Sequence, residues 1–477
     1  MNVMKPNLVV ICIDTFRADM GGSGGKLHFV NTPNVDRLRR ESVSFTRCFG
    51  EGEPTIPVRR CLFTGVRSFP WRFETANEGL QPAGSGWHPI PHEQDTLAER
   101  LHDAGYLTGF VSDTYHMFKP TMNFTRGFLS WQFIRGQEND PYRSGPCERI
   151  DLTAHVPDGE ASPAQHPTVA QYLLNALDRR GEEDWQAAQV FRSAARWLED
   201  NRRNAPFFLW VDSFSPHELW DPPRHYADAY CPPRPGVKDI IYPQVFRGDF
   251  SRMSPDEIER CKALYFGFVA FVDRWIGHLL AAMDALRLWD DTLLVFLSDH
   301  GTEVMDKGQF GKAADRLYPF NTRLNWFIRH PAGPRGKTCD AWVQNHDLLP
   351  TLLSLLGVEH PPLDGHNVWP VIPGDPVRDH VITGWGPHAC VRDADRAVHL
   401  NVTRPDDERT ARVFDLKADP DETRDVAPQH PEAIQQAVAR LAAVTGPLPV
   451  TFRQYRQRAQ GRTMRSFAPI RFGNKVP

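Results

Sequence analysis

Three almost wholly apolar runs, each stopped by an aspartate, constrain this chain more than any other feature. They are residues 8–14 (LVVICID), 206–212 (PFFLWVD) and 292–299 (TLLVFLSD). None alternates apolar with polar residues, so each reads as a strand covered on both faces, as in a parallel sheet between helices. In open sheets of that kind ligands collect at the carboxyl ends of the strands, and the three acids fall at such ends.

Helical patterns lie between these runs. Residues 32–38 (TPNVDRL) read as a cap and a short amphipathic helix, 94–105 as a helix stopped by Gly105, and 106–111 as the strand after it. Residues 185–201 are helical, and 254–288, opening on Ser-Pro-Asp-Glu, read as one long helix or a broken pair. Residues 325–329 read as a fourth strand, and 141–167, rich in Pro, Asp, Ser and Gly, as a long surface excursion. The alternation predicts an α/β fold: a large, mixed, mostly parallel sheet sandwiched by helices. From about Asp379 the texture changes to short strands (381–383, 397–402, 412–416) and one helix (431–444), a small C-terminal α+β domain. The expected division is a catalytic domain over 1–375, the small domain over 376–450 and a basic tail over 451–477. That tail carries Arg453, Arg456, Arg458, Arg462, Arg465, Arg471 and Lys475 and no acid. It reads either as an arm docking on a neighbouring subunit of a homo-oligomer or as a solvated tail.

Composition narrows the class. With 477 residues, 41% hydrophobic and 24% charged, the chain has the balance of a soluble globular protein. A formal net charge of -4 gives no electrostatic reason to expect nucleic acid. The N-terminal apolar run, 8–13, is short for a secretory signal and far below the ~20 residues of a membrane span. Eight scattered cysteines without a C-x-x-C pair fit the cytoplasm and no disulfide framework. The expected partner is a small molecule.

The chemistry-bearing residues sit beside the strand ends. Asp299-His300-Gly301 follows the third run, and with Asp14 it offers two carboxylates and an imidazole. That set suits one divalent metal ion of the Mn²⁺ or Zn²⁺ type better than Ca²⁺, which prefers oxygen throughout. A capping Asp beside a surface His is the plainer alternative. In Pro54-Thr55-Ile56-Pro57-Val58-Arg59-Arg60 a hydroxyl precedes a stiff proline near a helix start, where anions are favoured. A metal-bound Thr hydroxyl loses its proton more readily and becomes a nucleophile; a Thr N-cap with Arg59 on a solvated face is the alternative. His217 lies in the Pro-rich loop 215–223, and Lys312 follows Gly308 and Gly311.

Taken in order, these segments resemble the sulfatase family of the alkaline phosphatase superfamily. Asp14-Thr15-Phe16-Arg17-Ala18-Asp19 is similar to the family's opening metal motif, and 32–38 to its next helix start. Thr55-x-Pro57-x-Arg59 with Leu62-x-Thr64-Gly65 matches its C-x-P-x-R signature except at the first position. Ser298-Asp299-His300-Gly301 and Lys312 resemble its second metal segment, and His217 its P-H motif. Residues 347–353, Asp364-Gly365, Phe414-Asp415-Leu416 and 419–422 extend the likeness to about Val426. The resemblance implies that Asp14, Asp299, His300 and the Thr55 oxygen hold the metal. It implies that Arg59 stabilises the nucleophile pocket and the anion, and that His217 and Lys312 hold the non-bridging oxygens and assist the leaving group. His116 resembles a further substrate-contacting His, although the lysine expected two residues earlier is replaced by Thr114.

Sulfatases convert the signature Cys, or sometimes Ser, to formylglycine; Thr55 is no substrate for that conversion, and no C-x-P-x-R exists in the chain. An unmodified Thr forms a sulfate ester that water releases poorly, whereas a phospho-Thr is regenerated by in-line attack at phosphorus. The region that would supply a second zinc site holds Lys312 and His217, which argues for one metal. The expected activity is therefore hydrolysis of phosphodiesters or phosphonate monoesters by a Thr nucleophile. The alternatives are a sulfatase acting with an unmodified Thr and an inactive relative that binds phosphate, phosphonate or sulfate esters. The aromatic stretches 69–88 and 115–131 either line a leaving-group pocket or belong to the core, with Tyr115 and Arg135 as candidate substrate contacts and Arg135-Gly136-Gln137-Glu138 as a source of polar contacts there.

Overall fold

The acid-terminated runs fold as three adjacent strands in the middle of one sheet. The structure is a computed structural model, and it describes residues 5–69, 74–75, 84–119, 122–372, 376–405, 411–450 and 453–454. The strands are β1 (Asn7–Ile13), β2 (Val43–Phe49), β3 (Leu107–Ser112), β4 (Ser130–Phe133), β5 (Phe207–Ser213), β6 (Thr292–Ser298), β7 (Trp326–Arg329) and β8 (Lys337–Gln344). Their spatial order is β8-β2-β7-β6-β1-β5-β3-β4. All neighbours run parallel except β7, which is antiparallel to both β2 and β6. Because β6, β1, β5 and β3 are parallel neighbours, their carboxyl ends share one edge. Register carries Asp14, Asp212 and Asp299 there together: Cys12 is opposite Asp212, and Ile13 is opposite Ser298.

Both faces of the sheet are covered, as the unbroken apolar runs require. Val9, Ile11 and Ile13 of β1 pack into one core; Leu8, Val10 and Cys12, on the alternate side, pack into the other. Each such aliphatic side chain, fully buried, contributes roughly 1.5–3 kcal/mol of transfer free energy. The helices include α1 (Pro33–Arg40), α2 (Thr55–Thr64), α3 (Leu97–Asp103), α4 (Pro167–Ala176), α5 (Gln186–Asn201), α6 (Pro255–Leu286) and α7 (Leu348–Leu355). The pattern over 254–288 left a long helix or a broken pair open; α6 is one unbroken helix of 32 residues. Ser254 starts it with a capping box, its hydroxyl accepting from the Glu257 N–H while the Glu257 carboxylate accepts from the Ser254 N–H. By length and composition α6 could cross a membrane; here most of its apolar stretch is buried, packed against α5 and α1.

Strands β2 and β8 were not legible in the sequence. Thr46 and Arg47 interrupt β2, and Lys337 and Asp340 interrupt β8, an edge strand with one face in water, so neither shows a continuous apolar run. The predicted small C-terminal sheet is present, with β9 (Val381–Trp385), β10 (His388–Arg392), β11 (Arg396–Asn401) and β12 (Arg412–Asp415) in an antiparallel meander and α8 (Pro431–Thr445) packed on it. This sheet is fastened to the catalytic segment. The Gly384 N–H donates to the Glu51 carbonyl at 3.0 Å, and the Glu53 N–H donates to the Gly384 carbonyl at 2.9 Å. A Cβ on Gly384 would fall 2.0 Å from the Phe69 ring, so only glycine allows this approach. Of the basic tail, Arg453–Gln454 pairs with Glu74–Thr75; the rest, and with it the expectation of a docking arm, lies outside the described residues.

Candidate active site

Asp14 leaves β1, Asp299 and His300 leave β6, and Thr55 opens α2, so four separate chain segments meet at one sheet edge. One oxygen each of Asp14 and Asp299 and one nitrogen of His300 lie within 4.8 Å of one another, and all three residues are buried. His300 Nδ1 is 2.8 Å from the Gly301 carbonyl, which can only accept, so Nδ1 carries the ring proton. The Nε2 lone pair is thereby aimed at Asp14 Oδ1 (3.6 Å), Asp299 Oδ2 (3.4 Å) and Thr55 Oγ (3.2 Å). Burial pulls the His300 pKa down to about 4, so the ring is neutral and able to ligate at ordinary pH.

Thr55 is itself the first residue of α2, with Pro54 as the cap, and its side chain caps nothing. The hydroxyl turns to His300 instead, which removes the plain N-cap reading. Its φ of 20° is uncommon for a β-branched residue and costs energy that the surroundings must hold in place.

Arg59, one turn along α2, is wholly buried and has no solvated face. Its Nε and Nη2 donate to the two carboxylate oxygens of Asp212 at 3.0 Å each, and its Nη1 to Asp14 at 3.0 Å and Asp299 at 2.5 Å. Thr114 also donates to Asp212, at 2.6 Å, so the residue standing in the expected lysine's place supports the arginine's anchor. Arg59 therefore does not line the cleft. It is bound to the carboxylates of Asp14, Asp212 and Asp299.

The donor set fits a divalent cation. Three buried carboxylates, Asp14, Asp212 and Asp299, face one guanidinium, leaving two negative charges without a counter-charge. Asp14 Oδ1 is buried with no hydrogen-bond partner. Burial and then the neighbouring Asp299 push the Asp14 carboxyl well above the usual carboxylate range. Asp212→Ala should accordingly cost about 3–5 kcal/mol, because Arg59 would be left buried without its bidentate partner. Urea unfolding measures this; a loss below about 1 kcal/mol would mean that Asp14 and Asp299 already satisfy the guanidinium.

Thr55 opens onto a cleft of about 280 Å³ lined also by Trp87, Tyr115, His116, Glu138, His217, Lys312 and Trp385, among others. Lys312 Nζ donates to His217 Nε2 at 2.9 Å and to Glu218 Oε2 at 3.0 Å, while His217 Nδ1 donates to the Glu218 carbonyl at 2.7 Å. Burial, and then the charge of Lys312, lowers the His217 pKa to about 4. Burial alone would raise the Glu218 carboxyl, but Lys312 outweighs it and holds the pKa near 2. His116 is fixed from the other side: Lys119 Nζ donates to its Nδ1 at 2.9 Å, so Nε2 carries the proton and donates to Glu138 Oε2 at 3.0 Å. A lysine three residues after His116 thus reaches the ring, where the family pattern has one two residues before.

Of the candidate residues, the structure brings together Asp14, Thr55, Arg59, Asp299 and His300 at the sheet edge and Tyr115, His116, His217 and Lys312 in the adjoining cleft. Arg135 is not brought there: it pairs with Asp140 at 2.6 Å and lies over the Phe133 and Tyr142 rings. Its neighbour Glu138 takes the place in the cleft. Phe124 and Phe128 belong to the core, and Trp131 is 55% exposed, so among its described residues that stretch supplies the cleft with Tyr115 and His116. Glu138 had been offered, with Arg135, Gly136 and Gln137, as a source of polar contacts, whereas Asp212, Glu218, Lys119 and Trp385 had not been singled out as site residues. Only Asp212 had a legible signal, as the acid ending the second run.

The family model described as Sulfatase matches residues 6–358. A protein named arylsulfatase from Clostridium perfringens is 26% identical over 470 residues, covering 88% of this chain and 89% of that one. The multifunctional alkaline phosphatase superfamily protein PehA of Trinickia caryophylli is 26% identical over 420 residues, covering 77% of each. Among solved structures, the phosphonate monoester hydrolase of Agrobacterium radiobacter superposes with a TM-score of 0.69 at 22% identity, over 92% of this chain and 95% of that one.

Proposed function

The chain belongs to the sulfatase family of hydrolases, and we propose that it cleaves phosphodiesters or phosphonate monoesters with Thr55 as the nucleophile. One observation carries this reading: the Thr55 hydroxyl lies at the buried Asp14–Asp299–His300 cluster and also faces the cleft. A divalent cation held by Asp14, Asp299, His300 and the Thr55 oxygen would favour the alkoxide and draw charge from the substrate's non-bridging oxygens. Two carboxylates, an imidazole and a hydroxyl make a mixed nitrogen and oxygen set, which favours Mn²⁺ or Zn²⁺ over Ca²⁺.

The remaining roles follow from which groups are free to act. Lys312, with His217 against it, is the cationic side chain that lines the cleft among the described residues and would hold a non-bridging oxygen. Arg59 keeps Asp14 and Asp299 in place. Sulfur is disfavoured because a threonine sulfate ester lacks the formylglycine exit, whereas phosphorus accepts in-line attack by water. The relatives named sulfatases favour a second reading, sulfuryl transfer by the unmodified Thr.

Matched p-nitrophenyl esters decide between them, namely a phosphodiester, a phosphonate monoester, a phosphate monoester and a sulfate, with enzyme stripped and reloaded with Mn²⁺ or Zn²⁺. The diester or phosphonate should turn over at least about 100-fold faster than the sulfate, a difference of about 2.7 kcal/mol in barrier. A sulfate that turns over fastest would overturn the phosphoryl reading.

A further inference from the structure

We propose that Glu138 is the general acid–base of this cleft, protonating the departing alcohol and then deprotonating the water that frees Thr55. The inference rests on Thr55 acting as an unmodified nucleophile, because that chemistry creates a demand the formylglycine route does not have. A formylglycine hydrate expels its group by collapsing to the aldehyde. A threonine ester has no such exit, so a water must be activated against the same phosphorus.

The other histidines and carboxylates lining the cleft are committed elsewhere. His217 has its Nε2 lone pair occupied by Lys312 and its Nδ1 proton held by a carbonyl. Glu218 is ion-paired with Lys312 and is too weak a base, with its pKa near 2. His116 has Nδ1 occupied by Lys119 and can only donate through Nε2. Glu138 remains: it lines the cleft, its side chain keeps 16% exposure, and burial raises its carboxyl above the usual range.

The loop around Glu138 is built to present it. Arg135 and the Gly136 N–H are bound to Asp140; Gln137 donates to Asp113 at 2.6 Å and Ser215 at 2.9 Å; Asn139 accepts from the Tyr115 hydroxyl. Glu138 itself stands at φ 47°, a left-handed conformation that costs a non-glycine residue energy and is held by these flanking bonds. His116, fixed by Lys119, donates to one of its oxygens and so orients the carboxyl.

The steps balance. The Thr55 alkoxide attacks phosphorus, the bond to the leaving oxygen breaks, and the Glu138 proton passes to that oxygen to give the alcohol. Water then attacks the phosphorus of the Thr55 adduct, its proton passes to the Glu138 carboxylate, and the Thr55 oxygen departs as the alkoxide. One ester and one water give one alcohol and one acid.

Glu138→Gln in the full chain, loaded with Mn²⁺ and given a p-nitrophenyl phosphonate, tests this. Nitrophenolate leaves without protonation, so the first step should survive as a burst of about one nitrophenolate per site. Steady turnover should then fall by about 10²–10⁴-fold, with intact-protein mass showing an adduct on Thr55. A p-nitrophenyl burst and steady rate both at wild-type level, or both lowered together with no adduct, would overturn the role of Glu138. Glu138→Asp, which keeps the carboxylate, should restore part of the turnover, and failure to do so in a folded protein would also count against it. If Thr55→Ala retains wild-type turnover, the Thr55 reading fails instead, which distinguishes the two.

Discussion

Thr55→Ala is expected to lower kcat/KM on the best p-nitrophenyl ester by about 10⁴-fold or more, about 5.5 kcal/mol of transition-state stabilisation. The fold should be unaffected, since the side chain makes one hydrogen bond, to His300. Metal content should fall only partly, because Asp14, Asp299 and His300 remain as ligand groups. Thr55→Ser keeps the hydroxyl and loses only the methyl, so it should stay within about tenfold of the parent, which separates nucleophile from packing. Thr55→Cys completes the C-x-P-x-R signature, and coexpression with a formylglycine-generating enzyme should then raise sulfate turnover. Stopped-flow kinetics on the purified variants checks all three. Activity that survives Thr55→Ala would show that water attacks directly and that Thr55 is only a ligand.

Asp299→Ala is expected to remove both bound metal and turnover, with metal content falling from about one ion per chain to near zero and activity by about 10³-fold or more. Asp299 is tied to the site through both of its carboxylate oxygens. One oxygen accepts from the Thr15 and His300 N–H groups, fixing the chain on both sides, while the other faces Arg59 and His300 Nε2. The protein should still fold, since Arg59 keeps Asp14 and Asp212 as partners. Elemental analysis after gel filtration, beside a urea unfolding curve, measures both quantities. Unchanged metal content in a folded variant would place the metal elsewhere.

Much of the fold was legible because burial on both faces leaves a contiguous apolar run. β1, β5 and β6 announce themselves that way and lie side by side, with the acids that follow them at one edge. β2 and β8 stayed hidden because their polar residues break that pattern. The Asp14–Asp299–His300 cluster was legible for a related reason. Asp14, Asp299 and His300 sit within two residues of their strands, so naming the strand nearly places the side chain.

The cleft was legible only in part. His217 and Lys312 stood out by their motifs, but their mutual contact, and the ion pair with Glu218, come from loops 94–95 residues apart in the chain. Arg135 and Glu138 are three residues apart on one loop; backbone conformation, with φ 47° at Glu138, sends the carboxylate to the cleft while the guanidinium pairs with Asp140.

The sequence by itself therefore determined the sheet's central strands, the ligand acids at their ends and the threonine set against them. Each is a local consequence of periodicity and of one motif. The tertiary structure alone decided that Arg59 pairs with Asp212, Asp14 and Asp299 together, that Lys119 reaches the His116 ring, and that Trp385 of the C-terminal sheet completes the cleft. Those contacts are fixed by where distant loops pack and which left-handed backbone positions that packing can hold, and neither leaves a periodic trace in the chain.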